Sequence, residues 1–161
     1  MLFRLFSEII PLSTVNVALG KPALQSSTDH GGLASRAVDG DINSNWGGSS
    51  CTHTAHESEP WFRVDLQLSV FVGQVVLYNR VDCCTGRLNN YLITVGNDIN
   101  GADNSMCTAD GGDVSRMNKV TNNCDPPLLG RYVHVRLKRR EALTICEILV
   151  YAVIGENSHF D

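Results

Sequence analysis

The sequence predicts an all-β fold, an antiparallel β-sandwich or jelly roll formed by a single domain. Several short segments alternate apolar with polar residues or are rich in β-branched and aromatic residues, which is typical of strands. The segments between them are long and rich in Gly, Asn, Asp and Ser, and helical periodicity is not sustained anywhere. The chain has 161 residues, 43% of them hydrophobic and 19% charged, which suits one compact core and leaves little room for a second domain.

The predicted strands are spread over the chain from its middle to its end. In order, they are Trp61–Leu66, Phe71–Tyr78, Tyr91–Val95, Arg131–Leu137 and Ile145–Val153. We find no internal repeat and no linker, so we assign one domain to residues 15–154. Residues 1–14 are assigned to a leader or an artefactual extension, because Met1–Leu12 is apolar like a signal peptide but is interrupted by Arg4 and Glu8. Residues 155–161 are assigned to a C-terminal tail.

Charge and hydropathy exclude two classes of partner. The net charge of −4 argues against nucleic-acid binding, which requires a large positive field. No window approaches the roughly 18 unbroken apolar residues of a membrane-spanning helix, so we expect no membrane insertion.

The cysteines indicate an oxidising environment. There are six of them, at positions 51, 83, 84, 107, 124 and 146. An even number in a small domain predicts three disulfides, and we therefore expect a secreted, extracellular protein. No C-x-x-C pair is present, which argues against a cysteine metal site. Six cysteines allow about 15 pairings, so the pairing stays open at this point.

The segment Tyr78–Arg87 carries the residues best suited to ligand binding. Arg80 and Arg87 flank Asp82 and two adjacent cysteines. A guanidinium is a planar set of donors that suits vicinal hydroxyls or a ring oxygen as well as carboxylates. Asp82 is well placed to hold one guanidinium in a fixed orientation. Taken alone, however, two such arginines are commonly solvated, and adjacent cysteines either bond to each other or pair with distant cysteines.

These residues form a longer pattern. His53, a gap of 26 residues, Arg80-Val81-Asp82, a gap of four residues and Arg87 together resemble the signature H-x26-R-x-D-x4-R of the F-type lectins, or fucolectins. The four residues include Cys83-Cys84, where that family carries a vicinal pair. The similarity covers most of the chain, through Asn16–Lys21, Asp39-Gly40, Cys51–His53, Trp61–Leu66, Gly130–Val133 and Cys146-Glu147.

The resemblance implies a discoidin-like, galactose-binding-domain-like jelly roll that binds α-L-fucose. Three polar ligands of the sugar are implied, namely His53, Arg80 and Arg87, which are donors to its hydroxyls and ring oxygen. A Cys83–Cys84 disulfide is expected to pack against the sugar face. Trp46 lies where the family places aromatic residues near the fucose methyl group, although packing in the core is an equally open role for it. Gly47 follows where some members carry a second aromatic residue.

A second motif is rich in oxygen ligands. Asp39-Gly-Asp41-Ile-Asn43 opens like an EF-hand calcium loop, but Ser44 and Ser50 occupy the positions that require Gly and Glu. The resemblance assigns this loop to a structural Ca²⁺; a plain turn is the alternative. The implied ligands are the carbonyls of Arg36 and Cys146 and the side chains of Asp39, Asp41, Ser50 and Glu147. If Cys51 pairs with Cys146, Ser50 is held beside Glu147, and Cys107 and Cys124 are left to pair.

Other motifs support weaker hypotheses. Cys51-x-His53-x-x-His56 is too little for zinc once Cys51 is assigned to a disulfide. Lys138-Arg139-Arg140 is interpreted as a solvated hairpin tip rather than an anion site. A glycosidase requires two carboxylates facing one cleft. Asp65 and Asp82 are candidates only by type, so we expect no enzymatic activity.

The prediction is therefore a secreted, calcium-stabilised lectin that binds terminal α-L-fucose on glycans. The resemblance implies agglutination and a role in innate glycan recognition. Because a single shallow sugar site binds weakly, we expect a homo-oligomer, and trimers occur in the family. The alternative is a discoidin-like adhesion module that binds a protein or membrane surface without sugar and does not need His53, Arg80 and Arg87.

Overall fold

The computed structural model describes Ser13 and residues 15–154. Apart from Ser13, the segments assigned to a leader and to a C-terminal tail lie outside the described residues, and the domain boundaries stay a prediction. Within this part of the chain, no helix is long and apolar enough to cross a membrane.

The described residues form eight strands joined by loops and short 3-10 helices. The strands are β1 (Ala23–Gln25), β2 (Glu57–Ser58), β3 (Trp61–Tyr78), β4 (Tyr91–Gly96), β5 (Ser105–Thr108), β6 (Lys119–Leu137), β7 (Arg140–Glu141) and β8 (Glu147–Ala152). The 3-10 helices are Ala34–Val38, Trp46–Gly48 and Thr85–Leu88. Every strand pair is antiparallel, so the predicted all-β antiparallel fold is confirmed.

Two long strands, β3 and β6, connect the two layers of the fold. Their outer halves pair with each other over Trp61–Asp65 and Tyr132–Arg136, flanked by β1 on one side and by β4 and β5 on the other. The other half of β3 pairs with the start of β6 and, on its opposite edge, with β8. Apolar side chains from both halves, including Phe62, Leu77 and Ile148, belong to one buried cluster. The sheet thus folds over on itself around a single core.

Register shifts mark the places where these strands bend. One shift separates the pair Asp65–Tyr132 from the pair Val70–Gly130, and another lies between Val72 and Gln74. The second shift lies opposite the prolines of β6, Pro126 and Pro127, which cannot donate a ladder hydrogen bond and therefore occur at bulges.

The predicted strands are present but their limits differ. The segments predicted at 61–66 and 71–78 form one strand, and the segment predicted at 131–137 is the end of β6, which begins at Lys119. The start of β6 was not predicted because its Asn and Pro residues resemble a loop. The short strands β1, β2, β5 and β7 were also not predicted, because two to four residues carry no usable periodicity.

Three disulfides fasten the loops to this framework. Cys51 bonds Cys146, Cys83 bonds Cys84, and Cys107 of β5 bonds Cys124 of β6. These are the pairings that follow from the resemblance, and no free cysteine remains in the described residues. The bond at Cys51 joins the loop before it to the residue preceding β8. Because the Cys146 N–H donates to the Tyr78 carbonyl (2.8 Å), the end of β3 lies at the same place.

Candidate functional site

A shallow pocket of about 260 Å³ opens beside the loop that follows β3. The residues that line it are His30, Trp46, His53, Arg80, Cys83, Cys84 and Arg87. Six of these seven are residues that the sequence analysis assigns to a sugar site. The structure therefore brings together side chains from three separate loops.

Asp82 lies behind the pocket and orients two of the residues that line it, Arg80 and Trp46. Its carboxylate accepts hydrogen bonds from Arg80 Nε (3.0 Å) and Arg80 Nη2 (2.9 Å), a bidentate arrangement that fixes the guanidinium plane. The Trp46 N–H donates to the same carboxylate at 2.9 Å. These contacts lower the pKa of Asp82 to about 2, with the hydrogen bonds from Arg80 as the largest cause. The predicted positioning role of Asp82 therefore has a geometric basis and extends to Trp46.

Trp46 packs against the pocket's cations rather than in the core. Its ring lies under the Arg80 guanidinium, whose carbon is 5.1 Å from the ring centroid, and Arg36 lies 5.5 Å away. The ring also meets the imidazole of His53 edge-on, with centroids 5.4 Å apart. Trp46 is half-buried and is not a member of the hydrophobic core cluster, so the core-packing alternative is wrong.

His53 and Arg87 act as a coupled pair. The Nδ1 of His53 lies 2.7 Å from the Thr54 carbonyl, which can only accept, so Nδ1 carries the proton. Nε2 is then an acceptor, and Arg87 Nη1 donates to it at 3.0 Å. The family resemblance implies that all three polar residues are donors, whereas this pattern makes His53 an acceptor. The pKa of His53 is lowered, first by burial and also by the charge of Arg87.

The vicinal disulfide lies directly before the turn that carries Arg87. Cys84 adopts a left-handed backbone conformation with φ of 57°, and its carbonyl accepts from the Arg87 N–H at 3.0 Å. The bond between Cys83 and Cys84 rules out pairing with distant cysteines and presents sulfur to the pocket.

His30 is a pocket residue that the sequence analysis did not identify. Its ring meets that of His53 edge-on at 4.9 Å. The approach of its loop depends on Gly32, where an added Cβ would lie 2.4 Å from the backbone nitrogen of His53. In the sequence, the dipeptide Gly31-Gly32 indicates only a loop. A close backbone approach of this kind is one reason for a glycine, but the sequence does not say what is approached.

Arg139 was also missed, and its assignment as part of a solvated hairpin tip is wrong. Its guanidinium donates to the carbonyls of Asn89, Gly86 (3.1 Å) and Arg87 (2.9 Å). These three carbonyls belong to the 3-10 helix Thr85–Leu88 and the residue after it. Arg139 thus holds the turn that presents Arg87, and it lies in the chain between β6 and β7 rather than at a free tip.

Some of the predicted calcium residues, Asp39 and Asp41, lie close enough to Glu147 for their charges to act on it. This side chain is fully buried; its Oε1 accepts from the Gly40 N–H (3.1 Å), and its Oε2 has no hydrogen-bond partner. Burial is the largest cause that raises the pKa of Glu147 to about 8, and the charges of Asp39 and Asp41 raise it further. Ser50 is buried and directly precedes Cys51 of the Cys51–Cys146 bond. Its hydroxyl donates to the Asn43 carbonyl.

This surrounding fits a hard cation. An unpartnered buried carboxylate oxygen close to two further carboxylates is costly unless a positive charge is present. Among the described residues, no three or more His, Cys, Asp or Glu side chains form a metal-binding group by themselves. A cation here would therefore need carbonyl and hydroxyl oxygens as well, which are ligands that Ca²⁺ accepts.

The residues on which the glycosidase and zinc hypotheses depend have other partners. Asp65 is paired with Arg131 through two hydrogen bonds (2.6 and 2.9 Å), and Asp82 is paired with Arg80. Each of these carboxylates thus has a structural partner. Cys51 is in a disulfide, so the zinc hypothesis loses its thiolate.

Comparisons with known proteins agree with this arrangement. The family model for F5/F8 type C domains, described as a NedA-like, galactose-binding domain, matches residues 36–135. Fucolectin-4 of Anguilla japonica is 39% identical over 149 residues, covering 88% of this chain and 82% of the relative.

Two solved structures share the fold at substantial identity. The lectin domain of Lectinolysin, complexed with Lewis B antigen, is 35% identical with a TM-score of 0.78, and the match covers 88% of this chain and 99% of that one. The serum F-lectin, or fucolectin, of Morone saxatilis is 36% identical with a TM-score of 0.75, and the match covers 85% of this chain and 48% of that one. On these grounds the chain belongs to the fucolectin, or F-type lectin, family.

Proposed function

We propose that the pocket binds terminal α-L-fucose on glycans and that the protein is a fucose-binding lectin. The observation that carries the proposal is the arrangement of Arg80, Arg87 and His53 around an open pocket that the Cys83–Cys84 disulfide lines. Fixed polar groups in a shallow pocket suit a sugar, because its hydroxyls each need a partner of the right kind.

The hydrogen-bonding capacity left in the pocket matches this ligand. Asp82 uses Arg80 Nε and Nη2, so the N–H groups of Arg80 Nη1 are left to donate to the ligand. Arg87 likewise keeps donors beyond the one that His53 accepts. The half-buried ring of Trp46 and the disulfide supply apolar surface for the methyl group that fucose carries in place of a hydroxymethyl group. A wrong sugar would leave such groups unpaired, at a cost of about 1–3 kcal/mol each.

The comparisons support the same ligand class. Two curated relatives, at 39% and 36% identity, are called fucolectins, and the Lectinolysin lectin domain was solved with the Lewis B antigen. Three of the four signature residues, His53, Arg80 and Arg87, line one pocket, as a shared ligand would require, and the fourth, Asp82, holds Arg80.

Titration calorimetry with L-fucose tests the proposal, with D-galactose as the control sugar. We expect saturable heat with L-fucose only. Arg80→Ala should abolish it, whereas Arg116→Ala, which removes the same charge from an exposed residue outside the pocket, should not. Silence of the folded wild-type protein with both sugars would contradict the proposal and favour the adhesion-module alternative.

We further propose that Ca²⁺ binds at the Glu147 region and stabilises the fold. The side chains of Asp39, Asp41, Ser50 and Glu147, with the carbonyls of Arg36 and Cys146, would hold it. The support is the unpartnered buried oxygen of Glu147 beside two acidic residues. The ion would neutralise these carboxylates and tie the loop after the 3-10 helix Ala34–Val38 to the start of β8.

Secretion and agglutination complete the proposed role. Three disulfides in a chain of this size suit an extracellular compartment. Agglutination of cells and a part in innate glycan recognition would require several sites in one particle, hence a homo-oligomer, a trimer among the candidates. Light scattering and agglutination of fucose-bearing cells, with free L-fucose as inhibitor, test this part.

A further inference from the structure

A second pocket lies on the outer face of the sheet, away from the fucose site. Its volume is about 220 Å³, and no residue lines both pockets. Its walls include Leu92, Thr94, Met106, His134, Arg136 and Lys138. Nothing in the proposed fucose binding uses this pocket.

The strand register explains why these side chains meet. Leu92 pairs with Arg136 and Thr94 with His134 across β4 and β6, and Met106 of β5 pairs with Thr94. Side chains two residues apart on a strand lie on the same face, so all of these share one face. Their sequence neighbours Ile93, Val95, Val133 and Val135 belong to the core cluster instead. The pocket is therefore on the face opposite the core.

The two cations of the pocket are uncommitted. Within the residues that the structure describes, neither Arg136 nor Lys138 belongs to an ion pair. Asp98, the acidic residue that influences His134, has its carboxylate occupied by the N–H groups of Asn100 (2.9 Å) and Asp103 (3.2 Å). Two unpaired cations at one pocket of an acidic chain favour an anionic ligand.

His134 lines the same pocket and has a ring nitrogen without a hydrogen-bond partner. The side chain is 5% exposed, and its Nε2 has no hydrogen-bond partner. Nδ1 faces the turn at Gly101, where the Asp98 backbone hydrogen-bonds the ring. Burial, reinforced by the charges of Arg63 and Arg136, lowers the pKa of His134 to about 4, so the ring is neutral at pH 7. With its proton on Nδ1, Nε2 is an acceptor that lacks a donor.

We propose that this pocket is a second saccharide site, for a sugar that carries a carboxylate or a sulfate ester. The anionic group would bind Arg136 and Lys138, a ring hydroxyl would donate towards His134, and the side chains of Leu92 and Met106 would contact the apolar face of the ring. A simple inorganic anion meets only the first of these three requirements. A neutral sugar lacks the group that the cations require.

Amide-resolved NMR titration tests the proposal on the full chain. The probes are methyl β-D-glucuronide and galactose 6-sulfate, with methyl β-D-glucoside and galactose as their neutral counterparts and inorganic sulfate as the bare anion. We expect a charged probe to shift the signals of Gly101, Ala102 and the His134 ring saturably, at least tenfold more tightly than its neutral counterpart and than sulfate. Whichever of the two charged probes binds more tightly identifies the carboxylate or the sulfate ester as the preferred group.

Charge-matched variants locate the binding. Arg136→Gln with Lys138→Gln should weaken binding of the charged probe at least tenfold and leave L-fucose binding unchanged. Arg116→Gln with Arg140→Gln removes the same charge from exposed residues outside both pockets and should change neither. Equal affinity for charged and neutral probes, equal affinity for inorganic sulfate, or absence of any shift at these signals would overturn the proposal. These wild-type comparisons decide the question even if the double variant fails to fold.

Discussion

At the scale of single residues, Asp82 is the most informative member of the pocket, although it does not line it. It holds Arg80 through two hydrogen bonds and the Trp46 backbone through a third. Replacing Asp82 with Asn keeps the shape but removes the charge that both contacts use. We expect Asp82→Asn to weaken fucose binding by about 1.5–3 kcal/mol, the range for hydrogen bonds to charged groups, which is roughly 10- to 150-fold.

Calorimetry with L-fucose measures this change, and thermal unfolding checks that the variant is folded. Asp110→Asn is the matched control, since that exposed carboxylate contacts only its own turn. Unchanged fucose affinity in Asp82→Asn would show that Arg80 needs no partner to be oriented.

The coupled pair His53–Arg87 predicts a pH dependence. The pKa of His53 lies below its ordinary value of about 6.5, so the ring is neutral at pH 7 and accepts from Arg87. The titratable groups that act on it from nearby are Arg87, His30 and Asp29. Protonation removes the acceptor and adds a positive charge beside Arg87. Fucose affinity should therefore be constant above pH 6.5 and fall as the pH drops through the lowered pKa.

The stability of the native protein should also fall as the pH drops, as the fucose affinity does. A histidine with a depressed pKa contributes stability that is fully present above pH 6.5 and is lost as the pH falls towards the native pKa. Fucose affinity measured from pH 7.5 to 4.5 in saturating Ca²⁺, with the His53 ring followed by NMR, checks the prediction. Because the ring of His30 contacts that of His53, His30→Gln is the control and should keep the pH dependence. An affinity that changes mainly above pH 6.5 would contradict this account.

At the scale of elements, the pocket depends on how the 3-10 helix Thr85–Leu88 is held. Arg139 reaches it from the segment between β6 and β7 and donates to three carbonyls. We expect Arg139→Met, which keeps the length of the side chain without its donors, to weaken fucose binding at least threefold and to lower stability by about 1–3 kcal/mol. Arg140→Met is the matched control because Arg140 is exposed at the next position.

Calorimetry and denaturant unfolding separate the two effects. Lost stability with unchanged fucose affinity would mean that Arg139 supports the fold but does not position Arg87.

The elements also show what the sequence can predict. The central strands were recognisable because Trp61–Leu66 and Arg131–Leu137 alternate across a sheet that buries one face. The first half of β6, with Asn122, Asn123 and the prolines, was not recognisable. Its ladder is interrupted by a bulge, and it is stabilised by pairing with β3 rather than by local propensity. Loop contacts such as those of His30 and Arg139 join residues far apart in the chain, so no local pattern identifies them.

At the scale of the whole molecule, the two ends of the domain meet at one buried carboxylate. Glu147 begins β8 beside Tyr78 of β3, the Cys51–Cys146 bond lies next to it, and Gly40 donates to it from the opposite side. The signature spacing and the acidic motif were visible in the sequence because family resemblance supplies their three-dimensional neighbours. The hydrogen-bonding roles of these residues, such as the acceptor role of His53, depend on the folded geometry and were not visible in the sequence.

If Ca²⁺ binds beside Glu147, a chelator should destabilise the native protein. Ca²⁺ at 100 times its dissociation constant stabilises a native state that alone binds it by about 2.7 kcal/mol. For a domain of this size, chelation should lower Tm on the order of 5–10 °C, and Ca²⁺ but not Mg²⁺ should restore it, because Mg²⁺ demands a small octahedral site. Differential scanning calorimetry with EGTA, followed by addition of each ion, measures this shift.

Glu147→Gln distinguishes a bound ion from a general effect of salt. Without Ca²⁺ the wild-type protein must keep this buried carboxyl, whose pKa is raised to about 8, protonated at pH 7, which costs free energy. Gln is uncharged at every pH, so without Ca²⁺ the variant should be at least as stable as the wild-type protein. With Ca²⁺ it should gain little, so the order of the two melting temperatures reverses between EGTA and calcium buffer. Asp103→Asn, an exposed acidic residue outside the region, should leave the calcium shift intact. A wild-type Tm that EGTA does not change, or a Glu147→Gln variant that responds to Ca²⁺ as the wild type does, would place the cation elsewhere or exclude it.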